Sequence, residues 1–338
     1  MEKSDIRILK AIVHILDSTT GTPVLSDSEL EFGSDFSDFL REHIWKIMSG
    51  DDVKKCRFIQ EESKVFDIIK DIDDASFVPA SKEVASFLYE IMNSNIDIPP
   101  ADLILVVYEI SQSVYLGILK MNYKTSYTHK TGMGQEGNVN EIITYKTILP
   151  KQSQRLSEAA LVNLDDMSIS LIEKKYEING TKSNYFSKIF MQCTTSLSQK
   201  TKLDIVTKAV EKVQKANYDE SEQAQVSMKA KNIIHNEIAD QGKIDVPVVI
   251  DKIFEDRPEL KEEFNQKIEK YNIADEPIKP ESETTVKKYY RQFLKTDTGI
   301  EIKIPMEEYE NKDSVEFITN GDGTVSVLIK NVEKLVSK

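Results

Sequence analysis

Two long apolar runs on either side of three polar residues place the strongest constraint on how this chain folds. "ADLILVVYEI" covers Ala101–Ile110, and "VYLGILKMNY" covers Val114–Tyr123, with "SQS" between them. Two strand-like runs with a short polar interruption predict a β-hairpin. Because residues 103–107 are almost wholly apolar, the first strand is expected to be covered on both faces. The rest of the chain must therefore supply layers on both sides of a central hairpin.

Strand-like and helical patterns alternate through the first 178 residues. Runs rich in β-branched residues predict strands at 6–16, 23–32, 139–149, 158–164 and 167–178. Apolar residues at helical spacing predict one helix with Ser34 or Asp35 as its N-cap, and another from Ser81 to Met92. Residues 124–138 are expected to form a loop. This pattern predicts an α+β domain with a mostly antiparallel sheet and flanking helices.

The hydrophobic period becomes helical after residue 182. Helices are predicted at Ser183–Cys193, Gln199–Asn217, Glu220–Asp240, Val246–Phe254 and Pro258–Tyr271. A proline-containing acidic stretch follows, and beyond it lie short strand-like runs, the last two joined by "NGDG". The predicted organisation is an α+β domain at 1–178, a helical region at 179–273, a linker at 274–284 and a small β-rich segment at 285–338 that packs on the rest.

The composition predicts a cytoplasmic protein. Hydrophobic residues make up 40% of the chain and charged residues 30%, which is typical of a globular protein. Neither a signal-peptide run at the start nor the roughly 20 apolar residues of a membrane helix occurs. Cys56 and Cys193 have no CxxC spacing, so free thiols in a reducing compartment are expected.

The net charge of −13 conceals one basic segment. Residues 174–215 contain nine lysines and three acidic residues, whereas the segments before and after are acidic. An acidic protein that binds a polyanion must gather its positive charge on one surface. A solvated, lysine-rich helix face would give the same pattern, so the segment alone leaves both interpretations open.

The basic segment begins in "EKKYEINGTKSNYFSKIF", which reads as strand, turn and helix. Asn179 and Gly180 suit a tight turn, and Ser183 suits a helix N-cap, where backbone N–H groups favour a phosphate. The apolar residues after it, Tyr185, Phe186, Ile189 and Phe190, are expected to form a buried face in the core. The segment contains no arginine, so any DNA contact should go to phosphates, with weak sequence preference. The candidate nucleic-acid-binding residues are Lys174, Lys175, Lys182, Ser183, Lys188, Lys200, Lys202, Lys208, Lys212 and Lys215.

No catalytic, cofactor or metal site is predicted. "GMGQEG" has the spacing of a dinucleotide fingerprint, but a strand-like run rather than a helix follows it, so the match is interpreted as accidental. "TNGDGTVS" lacks the carboxylates of a calcium loop and is read as a hairpin turn. The four histidines show no zinc-ligand spacing, and His43 lies on an apolar helix face, which favours a core position.

Several stretches are similar in order and style to the bacterial nucleoid-associated protein family NdpA/YejK. They are "LILVVYEISQSVYLGILKMNY", "RLSEAALVNL", "IEKKYEINGTKSNYFSKIFMQC" and the strand-rich end from "TDTGIEIKIP" to "VSVLIKN". Gly180, Tyr185, Phe186 and Cys193 match the pattern, whereas Met191-Gln192 stands where the family has Leu-Gly. The resemblance implies a cytoplasmic, nucleoid-located protein that binds nucleic acid and has no established enzymatic activity.

Two functions follow from these observations. The first is a non-enzymatic protein that binds double-stranded DNA with little sequence specificity through the lysine-rich helical segment; RNA is not distinguished from DNA. The second is an adaptor at the nucleoid whose acidic surfaces recruit basic DNA-handling proteins. The Lys- and Glu-rich helices over 199–271 leave room for a homodimer.

Overall fold

The computed structural model describes residues 2–18, 21–134, 137–321 and 324–336. The chain divides into two compact units, Met1–Leu197 and Ser198–Lys338. Helices and strands occur in both units, which confirms the predicted α+β class. The finer division at residues 179, 274 and 285 stays a prediction.

An antiparallel sheet forms the centre of the first unit. The strands of this unit, which also include the long β6–β7 hairpin and the short β10–β11 hairpin, are β1 (Arg7–Leu16), β2 (Val24–Leu25), β3 (Lys54–Phe58), β4 (Ala101–Ile110), β5 (Ser113–Asn122), β6 (Lys124–Gly134), β7 (Gly137–Ile148), β8 (Glu158–Asn163), β9 (Ser168–Ile172), β10 (Tyr176–Ile178), β11 (Thr181–Ser183) and β12 (Cys193–Thr195). The helices are α1 (Ser34–Met48), α2 (Lys64–Ile69) and α3 (Phe77–Asn93). The sheet order is β12-β3-β9-β8-β5-β4-β1-β2, while β6 pairs with β7 and β10 with β11.

The central hairpin predicted from the apolar runs is confirmed. β4 and β5 pair from Ala101 opposite Asn122 to Ile110 opposite Ser113. Leu103 and its alternating neighbours pack in a core with α3, whereas Ile104 and its neighbours pack in a second core with α1. The sheet is therefore buried on both faces, because helices cover each side of it.

Several element boundaries in the first unit differ from those predicted. Gly33, rather than Ser34 or Asp35, is the N-cap of α1. α3 begins at Phe77 and contains Pro79 in its first turn, where proline is tolerated because the N–H that it lacks has no helical partner. The loop predicted at 124–138 is wrong for its described residues, which lie in β6 and β7. Both β3 and α2 lack a clear periodic pattern and were not predicted.

Gly117 in β5 gives a direct test of how tightly the central sheet packs. A Cβ atom at this position would lie 2.7 Å from Val106 Cγ1 and 3.5 Å from Leu161 Cδ2. We therefore expect Gly117→Ala to lower the free energy of unfolding by about 1–3 kcal/mol, as overpacking does in a close-packed core. Gly132→Ala is the control, because a Cβ there has nothing within 4 Å. Urea denaturation that gives equal stabilities for the two variants would contradict this packing.

The second unit combines four longer helices with short helices and two hairpins. Its elements are α4 (Gln199–Asn217), α5 (Glu220–Gln241), α6 (Val246–Phe254), α7 (Pro258–Ile268), α8 (Glu283–Lys287), α9 (Met306–Glu310), β13 (Arg291–Lys295), β14 (Glu301–Pro305), β15 (Val315–Thr319) and β16 (Val325–Ile329). The predicted helices from 199 to 271 are confirmed. The "NGDG" turn lies partly outside the described residues. In the proline-containing stretch after α7, Ile278 is fully buried and forms a bridge to Ile244.

Candidate nucleic-acid interface

The tight turn predicted in the basic segment is confirmed. Asn179 and Gly180 have φ values of 50° and 76°, and they join β10 to β11. The helix predicted to begin at Ser183 is wrong, because Ser183 lies in β11. The only helical structure that follows before β12 in these described residues is one π-type turn at Phe186–Phe190, closed by a 2.8 Å bond from the Met191 N–H to the Phe186 carbonyl.

The start of this turn is already occupied by an internal carboxylate. The Ser187 N–H donates to Glu173 Oε2 at 3.0 Å, and the Ser187 hydroxyl donates to Glu173 Oε1 at 2.8 Å. The Lys54 ammonium donates to the same carboxylate at 2.7 Å, and the Glu173 side chain is 1% exposed. The protein's own anion therefore takes the place that the sequence suggests for a phosphate.

The aromatic residues of the turn belong to the core, as expected. Tyr185, Phe186 and Phe190 are fully buried in the same cluster as α3. Ile189 was predicted to share their buried face, but its side chain is 37% exposed. A π-type turn contains more residues than an α-helical turn, so the apolar spacing that would suit an α-helix points Ile189 outward.

Four candidate lysines lie exposed around β10, β11 and the π-type turn in the first unit: Lys174, Lys175, Lys182 and Lys188. The Lys174 ammonium lies 5.6 Å from the centroid of the Tyr176 ring. Lys182 lies opposite Glu177 in the short hairpin, so a carboxylate partly offsets its charge. Ser183 is half-buried.

Four further candidates, Lys200, Lys208, Lys212 and Lys215, are exposed on α4 in the second unit, and we call them the lysine stripe. At 3.6 residues per turn their directions fall within an arc of about 120°, and they span about 22 Å along the axis. Lys202 differs, because it points away from this arc, is buried, and forms an ion pair with Glu276. The structure thus separates it from the other candidates on α4.

Two acidic residues share the side of α4 that carries the lysine stripe. By helical spacing, Asp204 and Glu211 lie within the same arc. Burial is the main cause that raises the pKa of Tyr289, and the negative charges of Asp204 and Glu211 raise it further. The Tyr289 hydroxyl lies 3.1 Å from Thr207 Oγ1 on α4, so both carboxylates act close to Tyr289. Among the described residues none of the four stripe lysines forms a salt bridge with a carboxylate. The stripe therefore keeps a modest positive excess.

The described residues contain no cluster of histidine, cysteine and carboxylate side chains suited to a metal ion. A cavity of about 660 Å³ in the first unit is lined in part by Lys10, Asp74 and Phe77. The Lys10 ammonium is paired with Asp74 at 2.5 Å, and it also lies 4.6 Å from the centroid of the Phe77 ring. The Lys10 charge of this cavity is thus engaged by neighbouring protein groups.

Comparison with families of known proteins gives a match that covers most of the chain. The model of a family described as nucleoid-associated protein YejK matches residues 12–336 of the chain. None of the curated proteins matches the chain. In the parts of the chain that are described, no helix combines the length and the apolar character that a membrane crossing requires.

Proposed function

Because the chain belongs to the nucleoid-associated protein YejK family, we propose that it binds double-stranded DNA through the lysine stripe of α4. The observation that supports this proposal most is the common direction of four exposed lysines, Lys200, Lys208, Lys212 and Lys215, on one helix. In this proposal the protein acts in the cytoplasm at the nucleoid and has no enzymatic activity.

The geometry of the stripe suits phosphates rather than bases. DNA carries one phosphate charge for about every 1.7 Å of its axis, so a stripe about 22 Å long meets several phosphates. Lysine is a point charge on a flexible stem and lacks the planar fork with which arginine reads guanine. Binding should therefore depend strongly on salt and little on sequence.

Two groups of candidates take different places in this proposal. Lys174, Lys175, Lys182 and Lys188 form a second patch on the first unit that can contact phosphates in the same way. Lys202 is not part of the contact, because Glu276 already neutralises it. Asp204 and Glu211 repel phosphates and so limit the affinity of α4.

Charge reversal of the stripe tests the proposal. The quadruple variant Lys200→Glu, Lys208→Glu, Lys212→Glu and Lys215→Glu should lose about 1000-fold in duplex affinity near 0.1 M salt, since four phosphate contacts disappear. The matched control reverses four exposed lysines elsewhere in the second unit: Lys243, Lys270, Lys312 and Lys334. Both variants change the net charge equally, so fluorescence anisotropy with a labelled duplex separates a local contact from overall charge.

Equal losses in both variants would show that no local patch is involved. A protein that ignores DNA but retains a basic DNA-handling protein would instead favour the adaptor function. That function would use the acidic surfaces of residues 1–100 and 216–338.

A further inference from the structure

The hairpin formed by β6 and β7 is unusually exposed. Among the described residues these strands pair only with each other, from Lys124 opposite Ile148 to Gly134 opposite Gly137. At about 3.3 Å per residue the hairpin is about 36 Å long. A two-stranded hairpin is at best marginally stable in water, so a ribbon of this length needs a covering surface.

The two faces of this ribbon differ in charge. One face runs from Tyr127 opposite Thr144 to Met133 opposite Asn138, and its other residues are His129, Ile142, Thr131 and Asn140. Between these two pairs it contains no lysine, arginine, aspartate or glutamate, and we call this stretch the uncharged face; Lys146, two residues beyond Thr144, lies outside it. The opposite face carries Lys130 opposite Glu141.

The uncharged face also carries the most exposed apolar side chains of the ribbon. Tyr127 and Ile142 are each 73% exposed, and Met133 is 86% exposed. Aromatic residues and methionine are enriched at protein interfaces, whereas charged residues are depleted from interface centres. A face without cations offers nothing to DNA phosphates, so its chemistry favours a protein partner.

The arrangement of these side chains is self-complementary. Tyr127 and Met133 lie on the same strand, three residues before and three residues after position 130. A two-fold axis that lies midway between two ribbons, passes over that position and runs perpendicular to the strands would stack the ribbons antiparallel. Each Tyr127 ring would then lie over the partner's Met133, a favourable contact between sulfur and an aromatic ring. We propose that two copies of this chain associate by stacking the uncharged faces of their β6–β7 hairpins.

The size of the face predicts a reversible dimer. With strands about 4.8 Å apart, the ribbon is about 10 Å wide, and the seven residues of the uncharged face on each strand extend about 23 Å, so two stacked faces bury about 460 Å² in total. Standard stable interfaces bury about 1,600 Å², and smaller ones belong to weak or transient complexes. The proposal does not rest on DNA binding, although a dimer would present the lysine stripe twice and strengthen binding to a long duplex.

Sedimentation velocity of the full chain over a range of concentrations tests this proposal. The wild-type protein should show a monomer–dimer equilibrium. The triple test variant, which combines Tyr127→Ser, Met133→Ser and Ile142→Thr, should remain monomeric. The control carries three similar changes on the opposite face, Val139→Thr, Ile143→Thr and Tyr145→Ser, and should dimerise like the wild type. A monomeric wild type, or control and test variants that behave alike, would overturn the proposal.

Cross-linking provides a second measurement that does not depend on disruptive changes. One variant is a tagged chain with Tyr127→Cys, and the other is an untagged chain with Met133→Cys. A short bis-maleimide should cross-link the two variants when they are mixed, and it should cross-link copies of either variant alone less efficiently. The native Cys56 and Cys193 are buried, so the introduced thiols should react first. Cross-links that form equally in the separate chains would contradict the antiparallel stacking. If the triple test variant lost DNA binding but kept its self-association, the face would belong to DNA instead.

Discussion

Replacement of Lys120 by methionine is expected to lower the free energy of unfolding of the first unit by about 3–5 kcal/mol. Lys120 and Glu158 are both fully buried, with Lys120 Nζ 3.9 Å from Glu158 Oε2. The ammonium also donates to the Pro99 carbonyl at 3.0 Å and to Asn122 Oδ1. Burial lowers the pKa of Lys120 to about 8, against the opposing effect of the Glu158 charge, so the ammonium still carries its proton at pH 7. Methionine would leave the Glu158 charge buried without its partner.

The double variant Lys120→Met and Glu158→Gln is the matched control. In the native chain the Asn122 side-chain amide donates to Glu158 Oε2 at 2.9 Å. The double variant removes both charges, and the carbonyl oxygen of the introduced amide can still accept this hydrogen bond. Since replacement of a whole buried ion pair is often close to neutral, the second change should restore most of the lost stability. Urea denaturation at pH 7 measures both variants. If the free energy of unfolding of Lys120→Met lay within about 1 kcal/mol of the wild-type value, Lys120 and Glu158 would not depend on each other.

Acid should destabilise the first unit between pH 6.5 and 4, and His43→Met should remove part of this effect. His43 is buried beside Phe39, their ring centroids 4.6 Å apart, and burial followed by the nearby Lys46 charge lowers the pKa of His43 to about 4. The unfolded chain binds a proton at this histidine near pH 6.5, whereas the folded chain does not. Unfolding is therefore favoured as the pH falls through this window, by up to about 3 kcal/mol for one group.

Burial lowers the pKa of His14 to about 4 as well, so the His43→Met variant should keep the share of acid sensitivity that comes from His14. Methionine fills irregular core space well, and at pH 7 the variant should lie within about 1.5 kcal/mol of the wild type. The measurement is the free energy of unfolding in urea at about pH 7, 5.5 and 4.5. Parallel pH profiles for the two proteins would show that His43 is protonated in the folded state.

The sequence predicts elements well where one periodic pattern coincides with burial. The apolar runs at β4 and β5 locate the centre of the sheet, and the 3.6-residue period locates α4 with its bounds. It finds most of β7, as the run 139–149, but it misses β6, because that strand is exposed on both faces and no apolar alternation marks it. Gly132 and Gly134 near the tip then make residues 124–138 resemble a loop.

The candidate site is less predictable, because its electrostatics depend on residues far apart in sequence. Lys202 belongs to the same lysine-rich helix as Lys208, but it pairs with Glu276, 74 residues away. Glu173 fills the start of the π-type turn together with Lys54, 119 residues away. Helical spacing identifies which lysines share a side of α4, whereas only the fold shows which of them are already neutralised.

The salt dependence of duplex affinity tests the DNA-binding proposal most directly. Four lysine–phosphate contacts predict that log K falls with log salt concentration at a slope of about −3.6, or about 150-fold between 50 and 200 mM salt. The slope of the stripe-reversed variant should be at least about three units shallower than the wild-type slope. The control variant, with four other lysines reversed, should keep the wild-type slope. A wild-type slope near zero, or an unchanged slope after reversal of the stripe, would contradict the proposal.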